Sequence, residues 1–226
     1  MYLFIKRAFD FLFSLILCLI LLPFMLPIII ILKCTGEGYV FYLQKRIGLN
    51  NRYFNIIKFA TMLKNSPNMG TGSITLRNDP RLLPLGKFLR KTKINEIPQI
   101  LNVLKGDMSL VGPRPLVDRT FNAYPEAIRN KVYVSKPGIT GIGSIVFRDE
   151  EKMISESGRP PHEYYEDVIA PYKGALEMWY NEHKSLYVDF MILFITGWVI
   201  LFPESDIVHK AFKGLPDRAL LSRPVA

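Results

Sequence analysis

Arg114 lies between two prolines in the tetrapeptide Gly112-Pro-Arg-Pro115. The rings fix φ on either side of it. The guanidinium is therefore presented at little conformational cost, as a planar fork suited to bidentate contact with phosphate. A rigid turn without a ligand accounts for the same four residues. Upstream, Asn95-Glu-Ile-Pro-Gln-Ile-Leu-Asn-Val-Leu-Lys-Gly106 has a helix start and a helix stop. Asn95 suits the N-cap, Pro98 is tolerated in the first turn, Lys105 suits the last turn, and Gly106 suits the position just past it. Glu96 is an acid at the favourable end of the helix dipole, and Asp107 suits the turn that follows. His162, His183 and His209 have no metal-ligand spacing. Cys18 and Cys34 lie in and beside an apolar run and support neither a disulfide nor a metal framework.

The segments that position these residues are segregated by charge. Between Gly38 and Asn78 there are six basic residues, Lys45, Arg46 and Lys58 among them, and no acid. Arg81 to Lys93, which includes Arg90, adds five more bases and again no acid, whereas Asp149 to Glu182 holds nine acids and three bases. Tyr39–Gln44 and Tyr53–Phe59 are β-prone and flank Gly48-Leu-Asn-Asn51, a hairpin pattern. Ser66–Gly72 is a loop. Arg81–Lys93 alternates bases with leucines and Phe88, as a basic amphipathic helix does. A solvated face over a packed stripe explains that periodicity, and contact with headgroups or phosphates explains the clustering of charge.

Phe11 to Leu32 is a run of 22 residues without a charge. At about 1.5 Å per residue such a helix is long enough for a hydrocarbon core of about 30 Å. A cleaved signal peptide is a poorer reading, because the run is long and no small-residue cleavage site follows it. Pro23 and Pro27 interrupt the helical hydrogen bonding in its second half. Lys6 and Arg7 precede the run and Lys33, Lys45 and Arg46 follow it, so the positive-inside rule places neither end outside. A helix kinked at the prolines, entering and returning on the cytoplasmic face, satisfies both facts. Phe190 to Phe202 is apolar but too short to span. Its aromatic surroundings suit an interfacial helix, and its composition equally suits a buried one.

The 226 residues are 49% hydrophobic and 22% charged, which excludes a disordered, collagen-like or disulfide-framework chain. The net charge of +9 calls for an anionic partner. The chain has no aromatic–basic RNA motif and no DNA-reading helix, so nucleic acid is not that partner.

Taken in order, several segments resemble the bacterial sugar transferase family, small monotopic phosphoglycosyl transferases. Lys6-Arg-Ala-Phe-Asp10 is similar to its KR-x-x-D motif, Gln44-Lys-Arg-Ile-Gly48 to QKR-x-G, and Lys58-Phe-Ala-Thr-Met62 to KFRTM. Asn95-Glu-Ile-Pro-Gln99, Asn102–Ser109 and Gly112–Pro115 resemble DELPQ…NVLKGDMSxxGPRP, and Pro137–Gly141 resembles PGITG. The resemblance implies transfer of a sugar 1-phosphate from a UDP-sugar to a polyprenol phosphate through a covalent phosphosugar–enzyme intermediate. It implies Mg²⁺, the lipid bilayer as a partner, and a place in surface-glycan assembly at the cytoplasmic face of the bacterial inner membrane. Lys58, Arg90, Arg114, Lys45 and Arg46 then become phosphate-binding candidates, and a homodimer joins the candidate assemblies.

Two positions depart from the family pattern. Asn95 stands where the family has its nucleophilic Asp, and Ala60 where KFRTM has Arg. An amide is no carboxylate nucleophile and binds Mg²⁺ weakly. Three readings follow: Glu96 is the nucleophile and Asn95 positions phosphate or metal; another acid (Asp79, Asp107 or Glu177) serves; or the chain is a catalytically impaired scaffold or uses a partner. The candidate metal ligands are Glu96, Asn95 and Glu177. The expected architecture is α+β and helix-rich, with a membrane-inserted segment over 1–36 and a catalytic domain over 37–226 that carries the hairpin and interfacial helices.

Overall fold

The structure, a computed structural model, describes residues 1–69, 80–202 and 205–217. Helix α1 (Tyr2–Cys34) is followed by strands β1 (Phe41–Ile47) and β2 (Tyr53–Phe59), then helices α2 (Gly86–Lys91) and α3 (Ile100–Lys105). Strand β3 (Ser109–Val111), helices α4 (Asp118–Asn122) and α5 (Glu126–Arg129) and strand β4 (Gly138–Thr140) come next. Helices α6 (Ile142–Val146), α7 (Glu150–Glu156), α8 (Pro161–Tyr164), α9 (Ala170–His183), α10 (Leu186–Leu201) and α11 (Ile207–Ala211) complete the order. The helix-rich α+β class read from the sequence holds.

Helix α1 is one continuous helix with Pro23 and Pro27 inside it. Only 11% of its most apolar 18-residue window is buried, and Phe4, Leu19, Phe24 and Ile30 are all more than half exposed. A core helix would bury these side chains, so the membrane is the solvent that this composition requires.

The chain divides into two compact units, each described by itself. The first comprises Phe11–Lys45 and Asn55–Lys105. Its apolar cluster gathers Met25 and Leu32 from α1 with Phe59, Ala60, Leu83 and Leu89. Phe41 stacks on Phe59 with ring centroids 5.6 Å apart. β1 and β2 pair as the expected hairpin, necessarily antiparallel across so short a connection. The turn is completed by Asn50 and Asn51 at φ 53° and 59°, a conformation that Asn tolerates better than most residues.

The amphipathic helix expected over Arg81–Lys93 is corrected to α2 alone. Upstream of it, Leu63 N–H donates to Arg81 O and Leu83 N–H to Thr61 O, an antiparallel bridge between Met62 and Leu82. Pro84 disfavours helix at the residue before it. Arg81 is buried, with its guanidinium donating to the carbonyls of Ser66 and Met69 at 2.8 Å, so this cation is structural. Of the expected loop, Ser66–Asn68 is a 3₁₀ turn, while residues 70–79, Asp79 included, lie outside the described residues.

The second unit comprises Met1–Asp10, Arg46–Phe54 and the chain from Gly106 onward. β3 and β4 pair in parallel, with Ser109 opposite Gly138 and Val111 opposite Thr140. A Cβ on Gly138 would lie 2.1 Å from Gly112 N, and one on Gly141 would lie 2.2 Å from Gly112 O. The glycines of GPRP and PGITG are thus required where two backbones touch. Helix α10 begins at Ser185, whose hydroxyl accepts from Val188 N–H. It buries Val188, Ile192, Ile195 and Val199 on one face and exposes Tyr187, Phe190, Phe194 and Trp198 on the other. The buried reading of this segment therefore describes one face, and the other is an exposed aromatic face. Asp189, on the inner side, accepts from Tyr2 OH, Lys6 Nζ and Tyr180 OH at 2.7–2.8 Å.

Candidate active site

Lys58 and Glu96 come together in the first unit. Along β2, Phe59 turns into the apolar cluster and Lys58 turns the other way, as strand alternation requires. Its Nζ lies 2.9 Å from Glu96 Oε1, with the two side chains 14% and 25% exposed. Asn102 on α3 fixes this approach. Its Oδ1 accepts from Ile57 N–H at 3.0 Å and its Nδ2 donates to Asn55 O at 2.8 Å, so the side-chain amide bonds the β2 backbone like another strand. An Asn in the apolar helix Ile-Leu-Asn-Val-Leu was the signal that a polar partner was needed there; its docking role was not read from the sequence.

Asn95 is not an N-cap. Residues Ile94–Gln99 form a 3₁₀ segment that leads directly into α3, and the cap position is Lys93 at φ 58°. Pro98, with no N–H and a ring that crowds the preceding turn, suits this tighter start better than the interior of an α-helix. Within the segment Asn95 is 8% exposed, and its Oδ1 is buried without a hydrogen-bond partner. Gly106, at φ 91°, ends α3 as expected.

Among the described residues no three His, Cys, Asp or Glu side chains gather as a metal site. Mg²⁺ does not require such a cage. It keeps several waters and takes one or two protein oxygens beside substrate phosphates. The buried Asn95 oxygen without a hydrogen-bond partner and the carboxylate of the following residue, Glu96, are donors of that kind.

Arg90 lies on α2 in the same unit, its Nη1 3.9 Å from Met62 Sδ, and Lys45 is exposed on β1. Ala60 is buried in the apolar cluster. Arg46, Arg114 and Glu177 belong to the second unit. Arg46 Nη1 donates to Pro115 O at 3.1 Å, so part of its fork serves the backbone of the GPRP segment. Glu177 is fully buried on α9, where Oε1 accepts from Arg114 N–H across a long 3.4 Å. A Cβ on Gly143 would come within 2.4 Å of that oxygen. Burial pushes the Glu177 carboxyl up to about 7, against the opposing effects of the Arg114 N–H and the Lys173 and Arg114 charges. Lys173, one turn earlier, is buried too and ion-paired with Glu150. The structure gives Glu177 partners beneath the arginine loop, a role the sequence did not indicate.

The sequence model of the family described as "Bacterial sugar transferase" matches residues 1–203 and so includes α1. The chain is 36% identical over 203 residues to the UDP-N-acetylgalactosamine-undecaprenyl-phosphate N-acetylgalactosaminephosphotransferase of Aeromonas hydrophila, covering 88% of this chain and 44% of that protein. It is 33% identical over 213 residues to the undecaprenyl-phosphate galactose phosphotransferase of Salmonella typhimurium, covering 88% and 40%. The chain thus spans less than half the length of these two relatives. An uncharacterized sugar transferase of Bacillus subtilis, EpsL, is 34% identical over 220 residues, covering 94% of this chain and 98% of that protein. On a family match that starts at the first residue and runs through α10, the chain belongs to the bacterial sugar transferase family.

Proposed function

We propose that this chain transfers a sugar 1-phosphate from a UDP-sugar to a polyprenol phosphate at the membrane surface, the first step of a surface-glycan assembly. The observation that carries the reading is the carboxylate of Glu96, held 2.9 Å from Lys58 inside the family signature. The names of the relatives from Aeromonas and Salmonella support the same acceptor and the same reaction class.

In the first half-reaction a Glu96 oxygen bonds to the β-phosphorus, and the bond from that phosphorus to the bridging oxygen breaks. UMP leaves with the electron pair. In the second, an oxygen of the polyprenol phosphate attacks the same phosphorus and releases the carboxylate, giving a polyprenol diphosphate sugar. Lys58 neutralises the Glu96 carboxylate before attack and phosphate charge after it, with Arg90 of the same unit as a further phosphate contact; Arg114 is read as a phosphate contact separately, from its fork between two prolines. Asn95 Oδ1 and Glu96 would hold Mg²⁺, which neutralises diphosphate charge when bound. We place the chain at the cytoplasmic face of the bacterial inner membrane, with α1 inserted as a re-entrant element bent near Pro23 and Pro27.

One observation favours a second reading, a scaffold without turnover. The family's nucleophilic position is an amide, and the neighbouring carboxylate is already ion-paired. Intact-protein mass spectrometry separates the two. Wild type mixed with UDP-glucose, UDP-galactose and UDP-N-acetylgalactosamine should gain a phosphosugar mass that maps to Glu96. Glu96→Gln should lose that adduct and reduce UMP release by about three orders of magnitude or more. Undiminished release from Glu96→Gln would reject the nucleophile assignment, and a wild type without adduct or UMP release would leave the scaffold.

A further inference from the structure

From Gly112 N–H to Leu116 O, nearly every backbone polar group of the arginine loop has a partner in its own unit. Gly112 N–H donates to Thr140 O at 3.0 Å, and Pro113 O accepts from Gly138 N–H at 2.9 Å. Arg114 N–H faces Glu177, Pro115 O accepts from Arg46, and Leu116 O accepts from Ile47 N–H at 2.9 Å. Arg114 O and Leu116 N–H share one atom. Tyr133 OH donates to Arg114 O at 2.7 Å and accepts from Leu116 N–H at 2.9 Å.

The two prolines fix φ at positions 113 and 115 but leave ψ of Arg114 a broad extended range. The direction of the Arg114 carbonyl, and with it the pitch of the chain that carries the guanidinium, is what the Tyr133 hydroxyl sets. We propose that Tyr133 is a positioning residue of this site, aiming the Arg114 fork at substrate phosphate before the substrate arrives. The proposal rests on the reading of Arg114 as a phosphate contact. Tyr133 is buried and its ring stacks on Phe121 with centroids 5.9 Å apart, so ring and hydroxyl have separable roles. Burial also drives the phenol pKa upward, so the hydroxyl stays neutral and can both donate and accept.

A double-mutant cycle on the full chain in detergent, read by calorimetric titration with UDP, tests this without requiring turnover. Tyr133→Phe keeps the ring and removes only the hydroxyl. Arg114→Ala should weaken UDP binding by about tenfold or more, and Tyr133→Phe by roughly three- to tenfold, the range for one or two hydrogen bonds. Because Tyr133 acts only through Arg114, the double variant should bind UDP no more weakly than Arg114→Ala alone. Wild-type affinity in Tyr133→Phe, or additive losses in the double variant, would overturn the positioning role while leaving Arg114 in place. Unchanged affinity in Arg114→Ala, or a wild type that does not bind UDP, would overturn the phosphate-contact reading and this proposal with it.

Discussion

At the scale of single residues, the two glutamates of greatest interest differ in environment more than in chemistry. Glu96 is partly exposed and ion-paired with Lys58 at 2.9 Å. Glu177 is fully buried, and desolvation raises it from 4.5 to about 7. The folded chain therefore holds a proton on Glu177 at pH values where the unfolded chain has released it. That contribution to stability is complete below about pH 4.5 and is lost as pH rises to about 7. Over this window, wild type should lose up to about 3 kcal/mol relative to Glu177→Gln, which has no proton to release. The thermal midpoints of both proteins in detergent, measured from pH 4 to 8, check this. Parallel profiles would show that Glu177 is not the source of the pH dependence.

At the scale of elements, the KR-x-x-D segment at the start of α1 acts as a fastener within its unit. Lys6 pairs with Asp189 of α10 at 2.7 Å, and Asp10 accepts from Leu110 N–H at 3.1 Å. The side chains of Lys6 and Asp189 are only 13% and 9% exposed, so removing one partner strands a charge away from water. Asp189→Ala should cost about 3–5 kcal/mol, and Lys6→Met combined with Asp189→Leu should recover part of that loss, the rest remaining because Tyr2 and Tyr180 still lose their acceptor. Chemical denaturation in one detergent measures both; an equal loss in the single and double variants would rule out stranded charge as the cause. What the sequence made legible here was local. The apolar run gave α1, alternation around Asn50 and Asn51 gave the hairpin, and Gly106 ended α3. What it hid was long-range. The backbone of residues 81–83 pairs with residues 61–63, which replaces the first part of the expected helix. Asn95 resembled a cap because its type suits one, but Pro98 and the left-handed Lys93 start the segment earlier and more tightly. The motifs singled out Arg114 and Glu96 as candidates, while the contacts of Asn102, Tyr133 and Asp189 depend on partners 45 or more, 17 or more and up to 187 residues away.

At the scale of the whole molecule, the net charge of +9 is the sum of a basic first half and an acidic later segment, and the basic half begins on both sides of α1. This distribution is what motivates the re-entrant placement proposed above over a simple span. A simple span would carry either Lys6 and Arg7 or Lys33, Lys45 and Arg46 to the outer face, against the preference of basic residues for the cytoplasmic side. The proposed bend at Pro23 and Pro27, where proline removes helical hydrogen bonds, would return both basic ends to one side. The two topologies differ in a direct measurement. Cys34 is an exposed natural probe at the end of α1, and Leu3→Cys places a second at its start. In intact spheroplasts, a membrane-impermeant maleimide should label neither position, and both should react once the membrane is opened. Labelling of either cysteine from outside the intact cell would establish a span and reject the re-entrant insertion.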